Sequence, residues 1–267
     1  MDWNLYNEMS ALESSGSLEQ ALRGFNDLES ESVDAEDKVL VLLAISDCLG
    51  RLRRYPEARQ AIEKASLLVA RSNQIYPRIA FKDAYIEVYV RDWKKALSKI
   101  DAIRKDSYDA LLLPENADLV EQLQISRGVV LVELHRYREA LPLLEQAAKA
   151  NLEDAMVLTY LGACYFDAKD FERSKECLLK ALKLGVDHNY RHKIHFFLGS
   201  IYYAQGKFAW AKQEFEESLK QGQNQEFADK DVYDYLIQAS EWLGLETEVE
   251  RYSKLRQQVD QPSKTSK

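Results

Sequence analysis

The chain has few of the residues that interrupt helices or cross-link a small fold. Its 267 residues include only 5 proline, 10 glycine and 3 cysteine residues. The thiols of Cys48, Cys164 and Cys177 are too few and too scattered for a disulfide framework or a zinc site. Leu, Ala, Glu, Lys and Arg are abundant, and sustained alternation of β-branched residues is missing, which favours helix nearly everywhere. We therefore predict an all-α protein.

Segments that direct a chain into a membrane are also missing. Residues 1–6, MDWNLY, are acidic and do not lead into an apolar run, so we expect no secretory signal. No uncharged apolar run is long enough to span a bilayer. We predict a cytoplasmic protein without membrane insertion.

Sequence signatures of catalysis and of cofactor binding are missing as well. The chain has no glycine-rich phosphate loop, nucleophile elbow or HExxH helix, so we predict no enzyme activity and no cofactor. Asp187, His188, His192 and His195 have spacings that could share a helix face, but an incidental or structural role is favoured over metal binding. An acidic chain with a net charge of −8 also argues against nucleic-acid binding.

Charge is unevenly distributed along the chain. Residues 1–37 hold ten Asp and Glu residues against the single Arg23, whereas residues 51–104 hold thirteen Lys and Arg residues against six acidic ones. Solvated helix faces are one interpretation of this pattern. The other is a polar contact between copies, in which the acidic first segment meets the basic second or third segment of another molecule. The chain is therefore a possible homo-oligomer.

A helix-turn-helix unit recurs along the sequence. Copies align on an aromatic residue or Leu at the turn and on a residue three positions later, which is small in all but the last copy. The aligned pairs are Leu18/Ala21, Tyr55/Ala58, Trp93/Ala96, Tyr137/Ala140, Phe171/Ser174, Phe208/Ala211 and Leu245/Glu248. The second members are spaced by 37, 38, 44, 34, 37 and 37 residues, as expected of a helical-repeat array.

The best copy resembles the tetratricopeptide repeat (TPR) family. That family places an aromatic residue, Leu, Gly, Tyr, Ala, Phe and Ala at positions 4, 7, 8, 11, 20, 24 and 27. With Ala155 as position 1, this chain has there Leu158, Leu161, Gly162, Tyr165, Ser174, Leu178 and Ala181. The resemblance implies a right-handed α-solenoid of antiparallel helix pairs.

The resemblance also implies one repeat domain over residues 1–256. Its units lie near residues 2–37, 39–75, 77–107, 121–154, 155–188, 192–225 and 229–256, and residues 257–267 are predicted to be a disordered tail. Small residues at positions 8 and 20 would let the two helices of a unit approach closely. Such pairs are Ser46/Ala58, Ala84/Ala96, Gly128/Ala140, Gly162/Ser174 and Gly199/Ala211. Residues 108–118, YDALLLPENAD, form an insertion that is either a packed connector or a binding loop.

In the TPR family, positions 2, 5, 6 and 9 of each first helix line a concave groove. The corresponding residues here are unusually apolar and aromatic. The predicted partner-binding residues are Tyr6, Leu43, Arg78, Phe81, Lys82, Tyr85, Ile125, Met156, Tyr160, Phe196, Phe197 and Tyr233. They form either an exposed stripe that captures a partner or a layer packed against neighbouring first helices.

Arg78 and Lys82 resemble part of the clamp by which some TPR proteins hold a chaperone's terminal carboxylate. Tyr6, Ser10 and Ala44 replace the clamp's other residues, so we expect at most one acidic group to dock at Arg78 and Lys82. The predicted function is a non-catalytic scaffold or adaptor that binds a peptide or amphipathic helix of a partner protein. Self-assembly through the charged segments is the alternative.

Overall fold

The fold is entirely helical where the structure describes it. The computed structural model describes residues 1–32, 34–150, 154–186, 188–222 and 230–259, apart from the side chains of residues 188 and 189. These residues form fifteen α-helices and one 3-10 turn, with no strand among them. The predicted all-α fold class is confirmed.

Contacts between Cα atoms group the chain into two compact units. Residues Met1–His135 form the N-terminal unit, and residues Arg136–Lys267 form the C-terminal unit. The helices of the N-terminal unit are α1 (Trp3–Ser14), α2 (Leu18–Glu31), α3 (Ala35–Arg51), α4 (Tyr55–Leu68), α5 (Tyr76–Val90), α6 (Trp93–Asp106), α7 (Tyr108–Leu111) and α8 (Ala117–Glu133), with the 3-10 turn at Pro114–Asn116. The prediction of one repeat domain over residues 1–256 stays a prediction.

The C-terminal unit continues the same alternation of helices. Its elements are α9 (Tyr137–Ala150), α10 (Ala155–Asp167), α11 (Phe171–Leu184), α12 (His188–Ala204), α13 (Phe208–Gly222), α14 (Lys230–Trp242) and α15 (Glu246–Val259). In both units, α1, α3, α5, α8, α10, α12 and α14 are the first helices of the predicted repeats.

Three first helices begin one turn earlier than the repeat alignment places them. The helices α3, α8 and α12 start at residues 35, 117 and 188, whereas the predicted repeats start at 39, 121 and 192. At α3 the cause is visible, because the Asp34 carboxylate accepts hydrogen bonds from the backbone N–H groups of Glu36 and Asp37 at 2.9 and 3.1 Å. The additional turn in these first helices makes the repeats longer than 34 residues.

The last repeat differs from its alignment by one residue. Helix α15 begins at Glu246 rather than at Leu245, and it continues to Val259, three residues past the predicted end of the domain. Residues 260–267 of the predicted tail lie outside the described part of the chain.

Within each unit, every turn from a first helix to a second helix uses one left-handed residue. It lies two positions before the second helix. These residues are Gly16, Arg53, Arg91, Lys169, Gly206 and Gly244, with φ between +61° and +87°. Glycine adopts this conformation freely, whereas a residue with a Cβ atom is strained there by about 1 kcal/mol.

Small residues allow the close approach of paired helices, as the sequence predicts. In the pair of α10 and α11, both Gly162 and Ser174 are buried, and the Ser174 hydroxyl donates a hydrogen bond to the Gly162 carbonyl oxygen at 2.7 Å. A Cβ atom added to Gly162 would lie 2.8 Å from a methyl carbon of Leu178. The space at Gly162 is therefore already occupied by the partner helix.

Candidate protein-interaction surface

Seven predicted partner-binding residues lie on the first helices of the N-terminal unit, and none of them is fully exposed. Two are buried, Leu43 and Phe81. The other five are half-buried: Tyr6, Arg78, Lys82, Tyr85 and Ile125. The first-helix faces of this unit are therefore partly committed to packing.

The aromatic residues on these faces contact one another along and between helices. The ring centroid of Tyr6 lies 5.5 Å from that of Phe25, a buried residue of α2. Tyr85 lies between Phe81 and Tyr89, with centroid distances of 5.7 and 5.1 Å. Burial raises the pKa of the Tyr6 hydroxyl. These contacts hold the rings in place while the half-buried ones keep an accessible edge.

Arg78 and Lys82 already have acidic neighbours on adjacent first helices. The Arg78 guanidinium donates two hydrogen bonds to the Asp118 carboxylate of α8, at 2.8 and 2.5 Å, and it holds the pKa of that carboxyl below its usual range. Lys82 forms an ion pair with Asp47 of α3. An acidic ligand at this position would therefore compete with Asp118 and Asp47.

A third carboxylate, that of Glu13, lies near the same face. Burial is the main cause that raises its pKa, and the negative charge of Asp47 adds to the effect. Arg51 donates a hydrogen bond to the Glu13 backbone carbonyl at 2.8 Å, and its guanidinium lies 3.8 Å from the Glu13 carboxylate. The first-helix faces of the N-terminal unit thus combine accessible edges of aromatic rings with charged side chains that form ion pairs.

Five predicted residues lie on the first helices of the C-terminal unit. Met156, Phe196, Phe197 and Tyr233 are half-buried, whereas Tyr160 is only 5% exposed. The Lys193 ammonium lies 5.0 Å from the centroid of the Tyr160 ring and 3.4 Å from its hydroxyl oxygen. Tyr160 therefore serves mainly in packing.

Phe196 and Phe197 lie at two different seams of α12. The Phe197 ring contacts Phe166 of α10 at a centroid distance of 5.5 Å. The Phe196 ring lies 6.0 Å from both Phe215 of α13 and Tyr235 of α14. For Leu43, Phe81 and Tyr160, which are buried, the structure favours packing over an exposed stripe, whereas Phe196 and Phe197 pack on one side and stay half-buried.

Sequence reasoning missed a charge cluster around the buried Glu87 carboxylate of α5, which basic side chains of α4 and α6 share. The Glu87 carboxylate receives two hydrogen bonds from Arg59, at 2.9 and 3.1 Å, and lies 2.9 and 2.8 Å from the ammonium groups of Lys95 and Lys99. These contacts outweigh burial and hold the Glu87 pKa far below its usual range. The signal was a departure from the family pattern, because Glu87 occupies position 11, where TPR units carry Tyr.

The described residues show no group of three metal-ligating side chains. Asp187 and the side chain of His188 lie outside the described residues, and the His195 ring nitrogen Nδ1 lies 2.8 Å from the Glu214 carboxylate. Burial raises the pKa of the Cys48 and Cys164 thiols to about 12, so both stay protonated and unreactive at neutral pH. In the described segments, every helix is too short or too polar to cross a bilayer.

Solved structures with a similar fold contain tetratricopeptide repeats. A chain of the APC/C hetero-tetramer Cut9-Hcn1 matches with a TM-score of 0.75 and 15% identity, over 97% of this chain and 46% of that chain. PilF of Pseudomonas aeruginosa matches with a TM-score of 0.60 and 15% identity, over 85% of this chain and 93% of that one. A tetratricopeptide repeat protein from Parabacteroides merdae matches with a TM-score of 0.51 and 12% identity, over 88% and 82% of the two chains. The predicted TPR resemblance is confirmed at the level of the fold.

Curated relatives match less than half of the chain. The BBSome complex member BBS4 of Bos taurus is 27% identical over 121 residues, which are 45% of this chain and 22% of the relative. The same protein of Xenopus tropicalis is 31% identical over 112 residues, which are 42% of this chain and 20% of the relative. The chain thus matches about a fifth of the length of these relatives.

A family model covers more of the chain than these relatives do. It matches residues 123–262, which are just over half of the 267 residues, and it includes most of α8 and all helices of the C-terminal unit. This TPR-like chain therefore belongs to the family described as "Domain of unknown function (DUF7017)".

Proposed function

We propose that the protein is a non-catalytic scaffold that binds a peptide or an amphipathic helix of a partner protein along its first-helix faces. The TPR fold supports a protein-interaction scaffold in general. The observation that carries the finer proposal is the recurrence of half-buried apolar and aromatic side chains on six of the seven first helices. They include Tyr6, Tyr85, Ile125, Met156, Phe197 and Tyr233.

Half-buried side chains of this kind suit partner recognition. Their rotamers are restricted by neighbouring helices, so a partner that covers their accessible edges loses little additional side-chain entropy. The ion pairs Arg78–Asp118 and Lys82–Asp47 lie beside the aromatic residues of the N-terminal unit and could form the polar rim of an interface.

The test uses substitutions at half-buried rather than buried positions. Tyr160 is too deeply buried for this purpose, because its truncation to alanine would create a cavity. Ile125→Glu and Met156→Glu change half-buried positions on α8 and α10. Leu67→Glu is the matched control, because Leu67 is 81% exposed and lies on α4, a second helix.

Peptides are first selected by display against the wild-type protein, and their affinities are then measured by calorimetry with each variant. We expect Ile125→Glu or Met156→Glu to weaken binding at least about tenfold, or 1.4 kcal/mol, while Leu67→Glu leaves the affinity unchanged. Far-UV circular dichroism checks that helicity is retained. Selected peptides that bind all three variants as well as wild type would refute the proposed location.

Self-assembly remains the second proposal, and the charge asymmetry between residues 1–37 and residues 51–104 supports it. Some of these opposite charges already pair within one molecule. Glu19 lies 4.0 Å from Arg54, and Glu29 lies 3.5 Å from Lys64. Exposed charge pairs between copies would be screened by salt, so sedimentation at low and high ionic strength tests for oligomers that dissociate. We also propose a cytoplasmic location, which a fluorescent fusion would test.

A further inference from the structure

The insertion between α6 and α8 is anchored to the N-terminal unit. The Asn116 side chain is buried, and its amide donates hydrogen bonds to the backbone carbonyls of Gln74 and Ala110 at 3.1 and 2.9 Å. Arg78 donates a further hydrogen bond to the Glu115 carbonyl at 2.6 Å. The insertion is therefore a packed connector with a fixed course.

This anchored connector forms one wall of a half-open cavity of about 480 Å³ between α6, α7 and α8. Tyr108, Leu111 and Leu112 supply that wall, and Val120 and Leu123 of α8 also line the cavity. Its volume and apolar lining are typical of ligand pockets, which enclose roughly 300 to 1,000 Å³. We call it the α6–α8 pocket.

Two apolar residues of the pocket remain largely exposed although the connector is ordered. Tyr108 is 62% exposed, and Leu112 is 66% exposed. Holding large apolar side chains in water contributes nothing to folding, whereas covering them with an apolar group from a partner removes that area from water. The lining thus favours an apolar anchor.

The mouth of the α6–α8 pocket is positively charged. Arg104 and Lys105, in the last turn of α6, line it, are exposed, and have no ion pair among the described residues. The remaining charged lining residue, Asp101, is engaged by Arg127 of α8 at 2.7 Å. A basic last turn also favours the helix dipole by a few tenths of a kcal/mol, but that effect does not require the side chains to line a cavity. The charge at the mouth favours an acidic occupant.

We propose that the α6–α8 pocket docks an acidic peptide segment of a partner protein, with one large apolar side chain inserted between Leu112 and Val120. Carboxylates that flank this anchor pair with Arg104 and Lys105. The pocket lining includes none of the predicted partner-binding residues, although Val120, Leu123 and Gln124 belong to the first helix α8.

The test measures fluorescence polarisation of a labelled peptide in which a central Leu-Leu-Phe segment is flanked on both sides by glutamates. One control peptide carries alanines at the centre, and another carries lysines at the flanks. The protein variants are Leu112→Ala, which changes the exposed wall, and the double variant Arg104→Gln/Lys105→Gln. Lys105→Gln is compared with Lys94→Gln, because Lys94 is an exposed lysine of the same helix outside the pocket.

We expect saturable binding of the acidic apolar peptide only, weakened at least about tenfold by the double variant and by Leu112→Ala. We expect Lys105→Gln to weaken it more than Lys94→Gln does. The proposal is overturned by equal effects of these two variants, by equal binding of the alanine peptide, or by no binding up to about 1 mM. Binding of decanoate without binding of the peptide would also overturn it, in favour of a small amphiphile. Met156→Glu, which changes the C-terminal unit, leaves the expected binding unchanged, so failure at the groove and failure at the pocket are distinguishable.

Discussion

Replacement of Glu87 by glutamine tests the role of the charge cluster around this buried carboxylate in the N-terminal unit. The substitution keeps the shape of the side chain and removes its negative charge. Arg59, Lys95 and Lys99 then remain close together without the carboxylate that they share. We expect the variant to fold, because the surrounding apolar packing is unchanged, but with a lower free energy of unfolding.

The expected loss follows from the exposure of the four side chains. The Glu87 side chain is 2% exposed, and removal of one partner from a buried ion pair typically costs about 3 to 5 kcal/mol. Arg59 and Lys95 are 40% and 50% exposed and can regain water, while Lys99 is 25% exposed and also pairs with Asp83. We therefore expect a smaller loss of about 2 to 3 kcal/mol.

Urea unfolding at several pH values measures this loss and its origin. The pKa of Glu87 is lower in the folded chain than in the unfolded chain, where it is near 4.3. Its contribution to stability is therefore fully present at neutral pH and decreases as the pH falls below about 5. The difference between wild type and variant should shrink over that range.

Glu57→Gln is the matched control, because Glu57 is an exposed carboxylate that pairs with Arg54 within one turn. We expect it to leave the urea midpoint nearly unchanged, because exposed ion pairs contribute little to stability. If Glu87→Gln were as mild as Glu57→Gln at pH 7, the charge cluster would not stabilise the unit. If the Glu87→Gln difference did not change with pH, its cause would be packing rather than charge.

Three further substitutions test packing, backbone strain and burial. Gly162→Ala should lower the free energy of unfolding by about 1 to 3 kcal/mol, because its Cβ atom meets Leu178; an unchanged urea midpoint would contradict this. Lys169→Gly should raise the melting temperature by relieving about 1 kcal/mol of left-handed strain, and a lower value would show that the lysine side chain stabilises the turn. Glu13→Gln should stabilise the protein at pH 7, because the raised pKa of Glu13 means that the folded state disfavours the charged carboxylate. This gain in stability should vanish as the pH falls and the wild-type carboxyl becomes protonated.

Local sequence features were sufficient to predict the helix pairs. Close packing of two consecutive helices needs small residues at fixed spacings, as at Gly162 and Ser174, and such spacings are visible in one sequence. The additional turn of α3 was missed because the repeat alignment does not consider the cap at Asp34. The Glu87 cluster was missed because its partners come from two other helices, α4 and α6, and the repeat alignment does not show which side chains of neighbouring helices meet.

The candidate site was less predictable than the fold. The sequence placed Tyr160 and Met156 on one face of α10, but their exposure depends on the neighbouring helix. Lys193 and Tyr190 of α12 lie against the Tyr160 ring, whereas Met156 stays half-buried. For the insertion, the sequence could not decide between connector and binding loop, because its course is fixed by the long-range hydrogen bond from Asn116 to the Gln74 carbonyl.

Because of the position of Phe196 and Phe197, a ligand that binds to them would also affect the packing of helices in the C-terminal unit. Their rings contact α10 on one side of α12 and α14 on the other. A ligand that covers their accessible edges would therefore stabilise the contacts that join these three successive first helices. A ligand at 100 times its Kd stabilises the state that it binds by about 2.7 kcal/mol. Amide hydrogen exchange in α10, α12 and α14 would then slow on binding. The exchange rates would therefore detect a partner that carries no label.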